Sequence, residues 1–396
     1  MRIAINGIGV AGPTLAYWLQ RYGYEPVMFE RAPQLRTGGY LIDFWGRGYD
    51  VAERMGLAEL LHERGYRIDE IRAVHGDGTA VASVGLSAVR EQVRGRFISI
   101  PRGDLACALY ERCVGVESHF GRHITGLTQR TDGVRVDLSD GEQQRYDLVI
   151  GADGVHSHTR RQIFDEDTSE HAMGCWVVAF RLKGYPHRDE GAYVTYTEPR
   201  RQVARASLRG DETLVLMVCG EERFGDELGP DEPPLERIRA AFSGMAWEVP
   251  TILARLEEAE QLYVDRVSQV RLPRWSKGRV ALLGDAAACI SLLGGEGTGL
   301  AMFEAYVLAG ELYRACGDHA QAFAAYERRL SEFLQDKQRS AGRMIHFFAP
   351  RSRMALKLRD LGLQVASLPL MSRVTANRLL ADDIAMPAYE NPKPAL

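Results

Sequence analysis

Apolar residues open the chain as a short continuous run, Ile3-Ala4-Ile5, and then change period. A glycine turn from Gly7 to Gly12 follows, Leu15, Trp18 and Leu19 recur at helical spacing, and Pro26 to Glu30 forms a second apolar run. Strand, turn, helix and strand make a βαβ unit. From Gly38 to about Gly56 the chain is glycine-rich and then helical, and residues 68–100 hold short alternating runs broken by the hairpin signal Gly76-Asp77-Gly78. A helix is expected from Leu105 to Cys113. Asp132-Gly133 and Asp140-Gly141 punctuate two more β runs, the second leading into a buried strand from Tyr146 to Ile150.

The character then shifts. Cys175 to Leu182, Ala192 to Thr197, Gln202 to Leu208 and Thr213 to Val218 are successive β-rich runs separated by Gly, Pro and Asp clusters, the pattern of an antiparallel sheet. A helical pair at Leu235 to Phe242 and Ile252 to Leu256 precedes a strand near Tyr263 to Val270. Arg279 to Leu283 is an apolar strand ended by Gly284-Asp285, and a long helix begins after Gly299. From about His319 the pattern is mostly helical. The stretch Arg339 to Arg359 has some features of a membrane-surface helix but reads as a scaffold helix bracing two domains.

With 396 residues, the chain exceeds the roughly 100–200 of one ordinary domain, so two lobes sharing an interface are expected. A charged fraction of 26% and a net charge of -4 describe a soluble globular chain without the positive field that attracts nucleic acid or an anionic membrane. No apolar run reaches the roughly 18 residues of a membrane span, and the start lacks the pattern of a signal peptide. The six cysteines show no C-x-x-C pair, and no H-E-x-x-H or similar cluster occurs, so neither a disulfide framework nor a metal site is expected. A cytoplasmic protein, monomer or homodimer, without stable membrane association, is the simple expectation.

Gly7-Ile8-Gly9-Val10-Ala11-Gly12 is a G-x-G-x-x-G between a strand and a helix. The first glycine permits the turn, the second lets backbone approach a pyrophosphate, and the third lets helix and strand pack. Phosphates then meet the positive helix end. Glu30 ends the second strand eighteen positions after Gly12, close to the offset at which an acid meets a ribose hydroxyl and disfavours a 2′-phosphate. FAD or NAD fits better than NADP at that place. Arg31 beside it reads as surface charge or as a neighbour of an adenine.

Two later segments choose between these cofactors. Gly151 to Arg160 contains Asp153-Gly154-x-x-Ser157-x-x-Arg160 after a buried strand, and Gly278 to Ala287 ends another strand with Gly284-Asp285. With the first turn, these resemble the class A flavoprotein monooxygenases, the para-hydroxybenzoate hydroxylase-like family, in the branch of the tetracycline-inactivating monooxygenase and natural-product hydroxylases. The resemblance spans about residues 1–315. It implies an α/β fold: a Rossmann-like FAD-binding domain with an inserted antiparallel β-sheet substrate domain and a C-terminal helical segment. The corresponding division is 1–67, 101–170 and 271–318 for the FAD-binding parts, 68–100 and 171–270 for the substrate domain, and 319–396 for the helical segment.

By the same resemblance Asp285 hydrogen-bonds the ribityl chain of FAD, Gly284 allows close backbone approach, Arg102 contacts FAD from a helix start, and Asp153 lies near the pyrophosphate and the path of the nicotinamide cofactor. Gly294 to Gly299, with Gly295, Gly297 and Thr298, passes beside the isoalloxazine. Gly39 and Gly46 shape a segment near the flavin, with Asp43 as polar lining. Many members have histidine at the Ala288 position and proline at Leu292, and this chain has neither. The implied reaction is hydroxylation of a small aromatic or polyketide-like substrate: NADPH or NADH reduces non-covalently bound FAD, and O2 adds to give a flavin hydroperoxide. Trp176, Phe180, Tyr193, Tyr196 and Trp247 fit either a substrate pocket or the core. Rival readings are a reductase, dehydrogenase or halogenase of the same fold, a non-catalytic flavin-binding protein, and an NAD-dependent dehydrogenase; the W-x-W-x-I-P halogenase signature is missing.

Overall fold

The computed structural model describes residues 1–35, 40–164, 169–225, 234–368 and 384–389. Gly38 and Gly39 lie outside the described residues. Apolar runs too short to be helices form a six-stranded sheet in the order Ser276–Lys277, Val280–Leu282, Leu148–Gly151, Arg2–Asn6, Glu25–Glu30 and Glu117–Phe120. Every pairing is parallel except that of the edge hairpin Ser276–Lys277 with Val280–Leu282. The helix Ala11–Arg21 and the strands Gly133–Leu138 and Gln143–Tyr146 of a separate three-stranded sheet pack against the central strands, which are therefore buried and read as continuous apolar runs instead of alternating ones. Three of these strands, 2–6, 148–151 and 280–282, are direct neighbours, so the segments leaving their C-terminal ends emerge side by side. Ligands bind at that edge of an open parallel sheet.

A second sheet has seven strands in the order Glu260–Val270, Glu170–Lys183, Glu212–Gly220, Arg201–Leu208, Ala192–Glu198, Glu70–Val74 and Ala80–Gly85. The 68–100 stretch thus supplies two of its strands. One face, carrying Trp176, Phe180, Val203 and Met217, packs with Ile238, Phe242 and Ile252 of the helices Leu235–Phe242 and Val249–Ala254. The other face, carrying Cys175, Val177, Val218 and Val267, packs on Leu293, Ile345 and Ala349. Trp176, Phe180 and Tyr196 are therefore core, with Trp247 packed against them, while Tyr193 sits half-buried near Trp45.

The helix Gly297–Arg314 is buried on every side from Leu300 to Leu312, because the helices Ala11–Arg21, Gly46–Arg54 and His319–Phe348 all pack on it. A Cβ on Gly48 would lie 2.3 Å from the Gly299 Cα, so two glycines allow the helices Gly46–Arg54 and Gly297–Arg314 to approach this closely. Three expectations change in detail. The run Tyr146 to Ile150 is divided at Asp147 between a three-stranded sheet and the parallel sheet, where Asp147 accepts the Arg2 amide at 2.7 Å. The helix expected from Leu105 begins at Arg102, directly after Pro101. Arg339 to Arg359 is two helices, since Pro350 interrupts the chain and Ser352 caps the helix Arg353–Ala366. Among the described residues no helix is long and apolar enough to cross a membrane.

The seven-stranded sheet also buries charge. Arg205, only 3% exposed, reaches Glu248 at 3.0 Å and Asp189 at 2.6 Å, and the Tyr185 hydroxyl donates to Glu248 at 2.7 Å. Asp189 retains Arg72 at 2.7 Å and Glu248 retains Arg188 at 2.6 Å, so losing Arg205 takes one cation from each carboxylate without leaving either unpaired. Arg205→Met is expected to lower unfolding stability by about 1–3 kcal/mol, read as a shift of the urea midpoint at unchanged slope.

Candidate functional site

The three motifs meet at the edge where the parallel strands end. Gly7 has φ +118°, and a Cβ there would lie 2.3 Å from the Ala152 carbonyl oxygen; on Gly12 it would lie 2.0 Å from the Gly7 carbonyl oxygen. Packing within the protein accounts for both. Gly9 differs, because its nearest neighbour would be an Arg102 guanidinium nitrogen at 4.0 Å. Nothing in the surrounding protein requires glycine at position 9, which suits close approach by a bound group. Val10 and Ala11 are buried in the turn, and the Val10 carbonyl accepts the Thr14 hydroxyl at 2.8 Å.

Glu30 is placed at the same turn. One carboxylate oxygen accepts the Ile8 amide at 3.0 Å and the other the Ala32 amide at 3.0 Å. Each oxygen keeps a lone pair for a further donor, such as a sugar hydroxyl. Arg31 is exposed. Arg102 begins its helix half-buried, and among the described residues its guanidinium makes no ion pair or side-chain hydrogen bond. Its charge is flanked electrostatically by Tyr40, Asp285 and Tyr263. A cation presented to an open glycine turn fits a pyrophosphate.

Asp153 has a different first task. Its carboxylate accepts Asn6 at 3.1 Å, the Thr159 amide at 2.9 Å and the Ser157 hydroxyl at 2.5 Å, so it braces the loop against the first strand. Arg160, 1% exposed, donates to the Val155 carbonyl at 2.7 Å and the Ala286 carbonyl at 3.3 Å, tying this motif to the Asp285 segment. The aspartate and arginine of the D-G-x-x-S-x-x-R pattern hold geometry.

Gly284 (φ +61°, ψ −137°) turns the chain where Ala11 and Ala301 approach; a Cβ on it would lie 3.3 and 3.2 Å from their methyl groups. Its amide donates to Glu304 at 2.9 Å, and Tyr326 donates to the same oxygen at 3.1 Å. Burial pushes the Glu304 carboxyl up to about 8. Asp285, half-buried, faces Gly297, whose Cβ would stand 3.7 Å from its carboxylate. Burial raises the Asp285 carboxyl, while the Arg102 charge and a hydrogen bond from the Cys289 thiol hold it down. Gly295 (φ +71°) is exposed and Glu296 to Gly299, including Thr298, are half-exposed, although the helix is otherwise enclosed. Gly9, Arg102, Asp285 and this loop thus form a partly exposed stripe in a buried setting, which fits an extended dinucleotide.

Several residues here carry no motif. Tyr40 and Tyr263 pack with ring centroids 5.6 Å apart, and burial pushes the Tyr40 phenol up to about 12. Tyr263 donates to Asp265 at 2.8 Å. Strand alternation alone sets Tyr263 and Asp265 on one face, but nothing local indicates that this face meets Asp285. Asp43 accepts the Ser99 hydroxyl at 2.5 Å across the Leu41–Phe44 and Ile98–Pro101 pair, near Tyr193, and burial raises its carboxyl. Gly46 (φ +63°) starts the next helix. Ala288 and Leu292 are apolar, and Leu292 packs toward the inner face of the large sheet.

His156, in the Asp153 loop, sits between Asp265 at 3.3 Å and Glu170 at 3.2 Å. Those two hydrogen bonds, led by Asp265, raise its imidazole to about 10. A group raised on folding contributes stability that is complete below about 6.5 and fades as pH climbs toward about 10. The wild type is expected to lose stability across that window, and His156→Gln to flatten the slope above about 8, where the raised Glu304 carboxyl no longer contributes. Parallel melting profiles from pH 6 to pH 10 would remove this role.

Comparison with known proteins agrees with this geometry. A family model described as an FAD binding domain matches residues 1–338. The chain is 31% identical over 344 residues to a flavin-dependent monooxygenase of an unknown prokaryotic organism, covering 85% of this chain and 87% of that protein. It is 32% identical to a flavin-dependent monooxygenase of Legionella longbeachae serogroup 1 (strain NSW150), covering 86% and 87%. The structure matches the crystal structure of tetracycline destructase Tet(51) with a TM-score of 0.82 at 29% identity, covering 98% and 99%. The chain belongs to the FAD-binding-domain family of flavin-dependent monooxygenases.

Proposed function

We propose that the protein uses NADPH or NADH and O2 to hydroxylate an aromatic or polyketide-like small molecule. The observation that carries this reading is the match over nearly the whole chain to a tetracycline destructase, which includes the substrate sheet as well as the FAD-binding part. When bound, FAD supplies hydride acceptance, oxygen activation and oxygen transfer. The chain's own residues position and shield. Gly9 and Arg102 would receive the pyrophosphate, Glu30 the adenosine ribose and Asp285 the ribityl hydroxyls. Leu292, Leu293 and the sheet residues Val177 and Val218 form an apolar boundary that excludes water beside the Gly295–Thr298 loop.

No nicotinamide domain is needed, since a transient reductant can approach past the Asp153 loop. All six cysteines are free thiols, which supports a reducing, cytoplasmic setting.

Asp285→Ala is expected to weaken FAD binding by roughly tenfold or more through loss of charge-assisted hydrogen bonds, with folding little changed, measured by flavin fluorescence titration. Unchanged affinity would remove Asp285 from the site. For the reaction, labelled dioxygen supplied with NADPH and a panel of phenolic and polyketide compounds should place one labelled oxygen in the product. Label arriving from water instead would favour a reductase or dehydrogenase.

A further inference from the structure

Among the described residues seven large apolar side chains stand exposed, and five of them lie together on the helix Arg353–Ala366 and just past its end. Met354, Leu358, Leu361, Val365 and Leu368 recur at gaps of four, three, four and three, which sets them in one stripe along a single face. They are 41–68% exposed. The helix is already packed through other positions. It rests on the strands Ala80–Gly85 and Ala192–Glu198 with Leu356 and Leu363 half-buried, while Arg359 donates to the Thr197 hydroxyl at 2.7 Å and Gln364 to the Val81 carbonyl at 3.2 Å. Lys357 stands three residues after Met354 and four before Leu361, so it borders the stripe, and Arg353 lies one turn before it on the same side. Arg351, Arg353 and Lys357 are all exposed, and among the described residues their side chains make no ion pair or hydrogen bond. Asp360 is the one acid between residues 351 and 368, and Arg359 holds it at 2.6 Å.

We propose that this helix is a reversible docking surface for an anionic lipid bilayer. The stripe seats at the boundary between headgroups and acyl chains, and the three free cations meet the anionic headgroups with their stems lying over the apolar layer. An apolar face or a basic cluster alone binds lipid weakly, and the two together bind usefully. A second copy of the chain fits this face less well. The stripe spans two heptads, fewer than the about three to four that sustain a coiled coil, and a copy would bring the same cations with no free carboxylate to meet them. The membrane-surface features of the stretch Arg339 to Arg359 thus fall to the segment after Pro350, while the helix His319–Phe348 before it packs on both parts of the fold. Docking of this kind needs no spanning helix, and it stands apart from the substrate reading above.

The test is co-sedimentation of the full chain with vesicles of phosphatidylcholine alone and of phosphatidylcholine mixed equally with phosphatidylglycerol. Wild type is expected to bind the anionic vesicles about tenfold more strongly than the neutral ones, and to lose that preference at about 1 M salt, where charges are screened within roughly 3 Å. Leu358→Gln combined with Leu361→Gln should weaken binding to the anionic vesicles about tenfold or more. Arg353→Gln combined with Lys357→Gln should remove most of the preference for them. Both variants should keep the wild-type flavin content and unfolding midpoint, since neither pair is buried. If the paired leucine change unfolds the protein, Leu358→Gln alone is read in its place. No vesicle binding, equal binding to both vesicles, or a leucine variant that binds like wild type overturns the proposal. A dimer that the leucine variant dissolves, with no sedimentation on lipid, also overturns it and gives the face to a second copy.

Discussion

The site depends on how closely backbone can approach backbone at the C-terminal edge of the parallel sheet. Three chain segments must leave neighbouring strands, turn, and still leave a groove open along their tips. Gly7 lies against Ala152, Gly12 against Gly7, and Gly284 against Ala11 and Ala301. Each contact is at or inside the distance at which a side chain could stand, so small residues at these crossings are a geometric condition of bringing the motifs together. Hydrogen bonds then fix the turns: Asp153 to the first strand, Arg160 to Ala286, and Glu304 to the Gly284 amide. Gly9 stands out because packing leaves it unexplained.

This arrangement shows which parts of the site a sequence can reveal. Turns that need glycine at defined offsets are local, so Gly7, Gly9, Gly12 and Gly284 announce themselves, and Glu30 follows from its distance along the chain. Arg102 and Asp285 gain meaning only beside a family pattern, because an isolated arginine or aspartate has no period. Tyr40, Tyr263 and Asp265 were invisible for a different reason. Their roles arise where the large sheet and the C-terminal helices meet the flavin part, and no local rule ranks one interface residue above another. The sheet was legible as alternating runs, although its register was not; pairing Val177 with Asp265 is what carries that carboxylate to His156. The split at Asp147 was missed because a run of apolar residues does not record a change of sheet.

The 297–314 helix joins these parts into one body. Its first turn faces Asp285, its middle carries Glu304 beneath Gly284, and its last turns hold Glu311 against Arg314 and Arg329. A helix enclosed on all sides cannot shift alone. Movements of the His319–Phe348 helix therefore reach the Gly294–Gly299 loop through packing, and Gln338 adds a tie to the neighbouring segments by donating to the Val270 and Cys289 carbonyls at 2.6 and 3.0 Å.

Glu304 shows what this rigidity requires. A carboxyl raised to about 8 by burial loses stability relative to the unfolded chain as pH rises from about 4.3 through its folded value, since the unfolded chain releases the proton first. An apolar residue at that position would avoid the loss but would leave the Gly284 amide buried without an acceptor. At neutral pH the favoured form is the neutral acid, which accepts from Gly284 and Tyr326 without adding a second negative charge beneath Asp285. The same burial that makes the group expensive to ionise therefore keeps the turn satisfied and adds no second negative charge beneath Asp285.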